Sequence, residues 1–451
     1  MRSVEKISAP SRRSLARQLG KPLVLVCAGA MLYYYVGFFI PRVLDVRAAK
    51  GLGGGYSFGA DFYPVWLTSR ECLLRRCNLY STEMTSKIQT GLFGRPLDMG
   101  KPNDPPIRYR EFAYPAFVDL LFWPANLLQF PAVRMILAFL LPITTAGTVL
   151  LWLKALQYEP PLVEKAMFVL LTLCSYQVLE GVFAEQLGLV VGFLLAAAVA
   201  ALMAEKYRTA GIALAMTTIK PQMVVLVILC VLLWSVTRWR ERRGVLFAFA
   251  VAESLLCGAA FYVWPDWLRN WIGILFDYRN YSTPPLVTDV FGPRLGPVLG
   301  PLLGVALTFT AIRAMWLARH EAAKSIQFLM TVSLALAVTA VAFLPGQAVH
   351  DHIVLLPGIV LLVRFWRSIA SAGRVLRWMS LLSMAALFWQ WVAALLVVIV
   401  RPFISAQRFY SPAIFVLPLR LALPFAFALL GVLLLVMRSL EKGALNLSNE
   451  V

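Results

Sequence analysis

A few polar side chains stand in or beside long apolar runs, and their types suggest chemistry. Asp61 is a lone carboxylate in Gly59-Ala60-Asp61-Phe62-Tyr63-Pro64-Val65-Trp66, just after Phe58. Aromatic residues of this kind favour the membrane–water boundary. A carboxylate partly withdrawn from water there becomes a better general base. Local residues alone favour a plainer reading, in which Asp61 caps a helix starting near Tyr63. Lys220, in Thr218-Ile219-Lys220-Pro221-Gln222, offers a point charge for a phosphate at a broken helix, or it snorkels to an interface. Glu180, Glu185 and Gln186 form a second polar cluster, and Glu253 reads as a helix–helix contact. His350-Asp351-His352 supplies metal-ligand types. Three adjacent residues do not readily face one ion, so a hydrogen-bonding or substrate-contacting role is preferred and no metal site is assigned.

The elements that must position these residues are membrane helices. The chain has 451 residues, 60% apolar and 14% charged, with a mean hydropathy of +0.73, which excludes an ordinary soluble enzyme. The net charge of +19 comes with no nucleic-acid-binding motif. Much of the excess lies in short segments between apolar blocks, where it holds loops inside and meets anionic lipid. The pattern predicts an all-α polytopic protein of about twelve transmembrane helices with both termini inside. Its expected parts are a basic cytoplasmic N-terminus (1–21), a single membrane domain (22–437) and a cytoplasmic tail (438–451). Residues 42–113 are read as a large first loop outside, and the glycines at 51 and 53–55 as a flexible connector.

Further on, charge-poor runs fall near 135–153, 166–182, 186–204, 209–237, 244–265, 295–312, 325–349, 353–363, 378–400 and 413–437. Basic residues place 238–243, 313–324 and 364–377 inside, and 266–294, 344–352 and 401–412 outside. Two assignments supply the five crossings between the first loop and Arg238. In one, 114–130 spans and 209–237 is a single helix. In the other, which is preferred, 114–130 dips in and returns while 209–237 breaks at Lys220 and Pro221, bringing Gln186 and Lys220 to the outer face. Of six cysteines, Cys72 and Cys77 share the polar loop. Their spacing is awkward for a disulfide if the stretch is helical, so the balance lies against one.

Taken in order, Gly59-Ala60-Asp61-Phe62, Asn78-Leu79-Tyr80, Phe112-Ala113-Tyr114-Pro115 with Pro124, Lys220-Pro221-Gln222 with Arg238-Trp239-Arg240, and a His-containing turn before Leu355-Leu356-Pro357 resemble glycosyltransferase family 87. The resemblance covers roughly residues 55–365. It implies a C-type architecture and transfer of a hexosyl (mannosyl-like) or pentosyl group from a polyprenyl-phosphate donor to a glycolipid or polysaccharide acceptor. Transfer would be inverting, at the outer face of a bacterial-type cytoplasmic membrane. It puts the family's general base on Asp61 and a donor-side histidine on His350. With it, Lys220, Gln222 and Arg294 are taken as donor or phosphate contacts, with Arg401 as a substitute, and Tyr63, Tyr114 and Gln186 as substrate contacts. No cofactor is assigned, and a divalent cation is left open. The sequence departs from the family pattern at Ala116, where a second proline is usual, and at Asp351, which splits paired histidines. A transporter or lipid-linked-sugar flippase, suggested by the broken helix, is the alternative; a non-catalytic scaffold is the third.

Overall fold

The computed structural model describes residues 12–443 except Arg76, together with Leu445 and Leu447. The first eleven residues of the expected basic N-terminus, and residues 444, 446 and 448–451 of the tail, lie outside the described residues. Among the described residues the fold is all-helical, without a strand. Six helices are long and apolar enough to cross a membrane: Gly20–Ala49, Phe130–Ala155, Trp239–Val263, Gly292–Ala318, Arg374–Phe403 and Leu417–Glu441. A seventh candidate is the pair Leu162–Leu173 and Tyr176–Ala184, bent by 56° at Cys174-Ser175. Leu187–Met203, Val225–Thr237 and Ile326–Ala342 are apolar but shorter. The chain is thus membrane-embedded. Several apolar runs that read as continuous spans are short or broken helices.

The first helix runs to Ala49, so it continues through Arg42, Asp45 and Arg47 into the polar segment. That segment is folded, with helices Tyr63–Cys72 and Thr82–Phe93. Residues 117–127 form a five-residue helix and a 3-10 turn at Trp123-Pro124, too short for a crossing. The stretch 209–237 is broken: Tyr207–Met216 and Val225–Thr237 are separated by two 3-10 turns meeting at Lys220. Pro221 lacks the backbone N–H that a continuous helix would need, and it disfavours helical geometry at Lys220. Lys220 accordingly sits at φ −132°, ψ 78°.

Cys72 and Cys77 form a disulfide, against expectation. The helix ends at Cys72, and the turn that follows brings the two Cα atoms to 4.7 Å, inside the range a disulfide spans.

Packing around Ile326–Ala342 explains where the irregular segments go. Fourteen of its residues are buried, so it is surrounded on all sides, as a helix apolar all round should be. It leads into the 3-10 turn Val349–Leu355, which is buried throughout. At the far ends of Val225–Thr237 and Ile326–Ala342, the buried Arg242 donates to the carbonyls of Trp234, Arg319 and Glu321 at 2.7–3.1 Å. A 13-residue helix puts that basic end about 20 Å from the break at Lys220.

Candidate active site

Five segments far apart in sequence converge on one polar network. They are the loop at Asp61, the turn at Arg110, the turn at Glu185-Gln186, the break at Lys220 and the turn at His350–His352.

The Asp61 loop is held by a helix end. Gly59 and Asp61 donate their backbone N–H groups to the carbonyls of Phe183 and Ala184 at 2.9 and 3.0 Å, which close Tyr176–Ala184 and have no partner within the helix. Gly59 has φ +76°, and a Cβ there would lie 2.5 Å from Glu185 Oε2; only glycine fits both demands. Asp61 does not cap the next helix. Phe62 holds the N-cap position and no side chain caps it. Instead, the Asp61 carboxylate accepts from Gln186 Nε2 at one oxygen and pairs with Arg110 at the other. Its side chain is 14% exposed, enough for a small group to reach it.

Gln186 is the bridge. Its amide nitrogen faces Asp61 while its Oε1 accepts from Lys220 Nζ at 3.0 Å, an orientation fixed by the charges on its two sides. Lys220 is itself saturated, donating to both oxygens of Asp351 at 2.7 and 2.8 Å. Both partners are buried, at 6% and 1% exposure. A Cβ at Gly188 would fall 2.1 Å from Asp351 Oδ1, so glycine is what lets this pair approach the start of the Leu187–Met203 helix.

His350 Nε2 lies 3.6 Å from Asp351 Oδ1. Burial pushes its pKa down to about 3 and that of His352 to about 4, with Asp351 opposing in both cases. Both rings are therefore neutral. Among the described residues no cluster of His, Cys, Asp and Glu could hold a metal.

Arg110 sits at φ +71°, a backbone conformation that costs a non-glycine residue about 1–3 kcal/mol and is kept only where surrounding contacts over-determine it. Those contacts come largely from Trp267–Tyr281. Trp271 Nε1 donates to Ala113 O at 3.0 Å, Tyr281 donates to Glu111 at 2.9 Å, and Arg108 pairs with Asp277 and, at 3.2 Å, with Glu111. The guanidinium of Arg110 stacks over Tyr109 at 5.1 Å. Burial and the nearby Arg47 push its pKa down.

A second acid stands against the Asp61 loop, beside Gly59. Glu185 is 1% exposed, has left-handed backbone at φ +55°, and neither carboxylate oxygen has a hydrogen-bond partner. Burial pushes its pKa up to about 7, and Arg134 opposes the shift.

The family model for glycosyltransferase family 87 matches residues 112–345, more than half of the chain. The chain belongs to glycosyltransferase family 87. No curated protein and no solved structure matches it. The chain is therefore a membrane glycosyltransferase.

Of the residues singled out in sequence, the fold of this family 87 protein brings together Asp61, Gln186, Lys220 and His350. Tyr114 anchors the edge of the network, its carbonyl accepting from Tyr80 at 2.9 Å. Tyr63 is elsewhere: its ring packs among Tyr56, Trp66 and Phe130 with its hydroxyl against Gly91. Gln222 is exposed next to the break, and Arg294 is exposed in the first turn of Gly292–Ala318; neither has a contact in the network. Arg110 and the pairing of Asp351 were not anticipated. Arg110 is one of many charges in a polar segment, and Asp351 read as an interruption between histidines.

Proposed function

We propose that this glycosyltransferase moves a hexosyl (mannosyl-like) or pentosyl group from a polyprenyl-phosphate donor to a glycolipid or polysaccharide acceptor, with inversion and with Asp61 as general base. The observation that carries this reading is the setting of Asp61, a carboxylate oriented from two sides by Arg110 and Gln186 yet partly open. An acceptor hydroxyl hydrogen-bonded to Asp61 gives up its proton as its oxygen attacks the anomeric carbon. The bond from that carbon to the phosphate oxygen breaks on the opposite face, and the proton remains on Asp61. Tyr114 and Gln186 border the sugar and His350 the donor side. Lys220 acts through Gln186, because its charge is already met by Asp351.

The site is assigned to the outer face of a bacterial-type cytoplasmic membrane. The basic ends at Arg238–Arg243 and Arg319–Lys324 sit at the opposite ends of the helices that leave the network, as the positive-inside bias requires. The Cys72–Cys77 disulfide in the same polar segment as Asp61 fits an oxidising compartment.

The test is transfer of radiolabelled sugar from synthetic polyprenyl-phosphate sugars to a membrane-lipid extract by the reconstituted protein. Wild type is expected to transfer and a folded Asp61→Asn variant to lose at least about 100-fold, the usual contribution of a general base. Substantial transfer by that variant would overturn the role of Asp61. Sugar-lipid movement across liposomes without an acceptor would instead favour a flippase.

A further inference from the structure

Bond breaking creates a second negative charge on the lipid phosphate, and a cation is needed where that charge develops. Lys220 does not meet the need, being buried and bonded to both oxygens of Asp351. Arg294 makes no contact with the network, and Arg401 stacks on Phe409 at 4.9 Å, next to the Arg374–Val400 helix end. Arg110 remains. It touches the base itself, it is 29% exposed where Lys220 is 7%, and it is held in left-handed backbone by a neighbouring helix.

We infer that Arg110 exchanges partners during transfer, leaving Asp61 for the departing phosphate. The inference rests on the lipid-phosphate donor proposed above. In the resting site Arg110 and Asp61 form a neutral pair, as do Lys220 and Asp351, so the network has no net charge to spare for a donor phosphate. As the acceptor oxygen bonds to the anomeric carbon, its proton passes to Asp61, which goes from −1 to neutral. The donor phosphodiester, at −1, becomes a phosphomonoester dianion as the carbon–oxygen bond breaks and its electron pair stays on phosphate. One negative charge has moved from carboxylate to phosphate. The guanidinium, released by neutralisation of Asp61, is the adjacent cation that can follow it. Its planar fork suits two phosphate oxygens at once, which a lysine does not match. Base and leaving group are thereby coupled: Arg110 stabilises ionised Asp61 before transfer and the phosphate after it.

The test measures binding of farnesyl monophosphate, a short stand-in for the lipid product, to full-length protein in detergent by tryptophan fluorescence. Asp61→Asn mimics the neutralised base. It is expected to bind the phosphate about 10-fold or more tightly than wild type, the scale of one charged hydrogen bond. Arg110→Met is expected to bind about 10- to 100-fold more weakly than wild type on the same scale. The double variant should bind as weakly as Arg110→Met, and Arg110→Lys should recover only part of the loss. A purely structural Arg110 predicts no gain in Asp61→Asn. Equal affinity of Asp61→Asn and wild type, wild-type affinity in Arg110→Met, or binding by none of the proteins each overturns the exchange. Transfer by wild type is assayed in parallel; its absence would overturn the donor class, a result read separately from the binding pattern.

Discussion

Removing the charge of Lys220 alone should damage the fold more than removing the whole ion pair. In Lys220→Met, Asp351 is left at 1% exposure without its cation and loses two hydrogen bonds, at 2.7 and 2.8 Å. Gln186 Oε1 loses its donor at 3.0 Å. Breaking one side of a buried pair costs about 3–5 kcal/mol, while replacing both sides by apolar groups of similar size is often close to neutral. Taking about 4 kcal/mol, and about 1–2 °C of melting temperature per kcal/mol for a chain of this length, the single variant should melt about 4–8 °C lower than wild type. The Lys220→Met/Asp351→Leu double variant should melt within about 2 °C of wild type on the same basis. The assay is thermal unfolding of purified protein in detergent, followed by tryptophan fluorescence, for wild type, both single variants and the double. Additive losses in the double variant would refute the reasoning, as would a single variant indistinguishable from wild type. Either result would mean that the pair is solvated in the working protein.

Three further outcomes follow from the same geometry. Glu185 has a folded pKa of about 7 against an ordinary 4.5, so the stability it contributes is complete below pH 4.5 and is lost as pH rises through 7. Glu185→Gln should therefore gain up to about 3 kcal/mol on wild type between pH 4.5 and pH 8; parallel melting curves across that range would exclude a buried acid. Gly59→Ala and Gly188→Ala each place a methyl within 2.5 Å of a carboxylate and should abolish sugar transfer, whereas Gly258→Ala, with open space around it, should keep it; an active Gly188→Ala would show that Asp351 need not approach that helix. Opening the Cys72–Cys77 loop by Cys77→Ser should lower stability by about 2 kcal/mol, the loop-closure scale for so short a ring, and maleimide labelling without reductant should find neither thiol in wild type.

How much of this was legible in the sequence depended on whether a signal was local. Apolar runs gave the helices, and Pro221 after Lys220 gave the break, because both effects act within one or two turns. Asp61, Lys220, Gln186 and His350 were legible as candidates one residue at a time, since an ionisable or polar group among apolar neighbours stands out. Their partners were not. Asp61 meets Gln186 across 125 positions and Lys220 meets Asp351 across 131, and nothing in the flanking residues encodes such pairings. Arg110 was hidden among Lys101, Arg108 and Glu111; what distinguishes it is a positive φ, which no residue type announces when the residue is not glycine. Tyr63, taken with the family resemblance as a substrate contact, lies away from the network. Its aromatic neighbours, read in the sequence as favouring the membrane–water boundary, are its packing partners, and its hydroxyl lies against Gly91. The disulfide was misjudged because a helix end shifts by a residue or two without any strong sequence cue.

Gln186 ties these observations into one electrostatic argument. A glutamine amide has a donor end and an acceptor end, so it sits stably between two charges only when they differ in sign. Here the donor end meets Asp61 and the acceptor end meets Lys220, and Lys220 is in turn paired with Asp351. A flipped amide would set its NH₂ against an ammonium and its oxygen against a carboxylate, two repulsive contacts at once. The pair 220–351 therefore does more than neutralise itself. It fixes one orientation of Gln186, and that orientation directs a hydrogen bond to the oxygen of Asp61 that Arg110 does not engage. A buried pair of this kind is weak support for stability in itself, yet it aims a polar side chain that could otherwise face either way. On this argument the positional demand at residue 186 is for an amide: a glutamate would repel Asp61 and a leucine would leave Lys220 one acceptor short, though either would fit the volume.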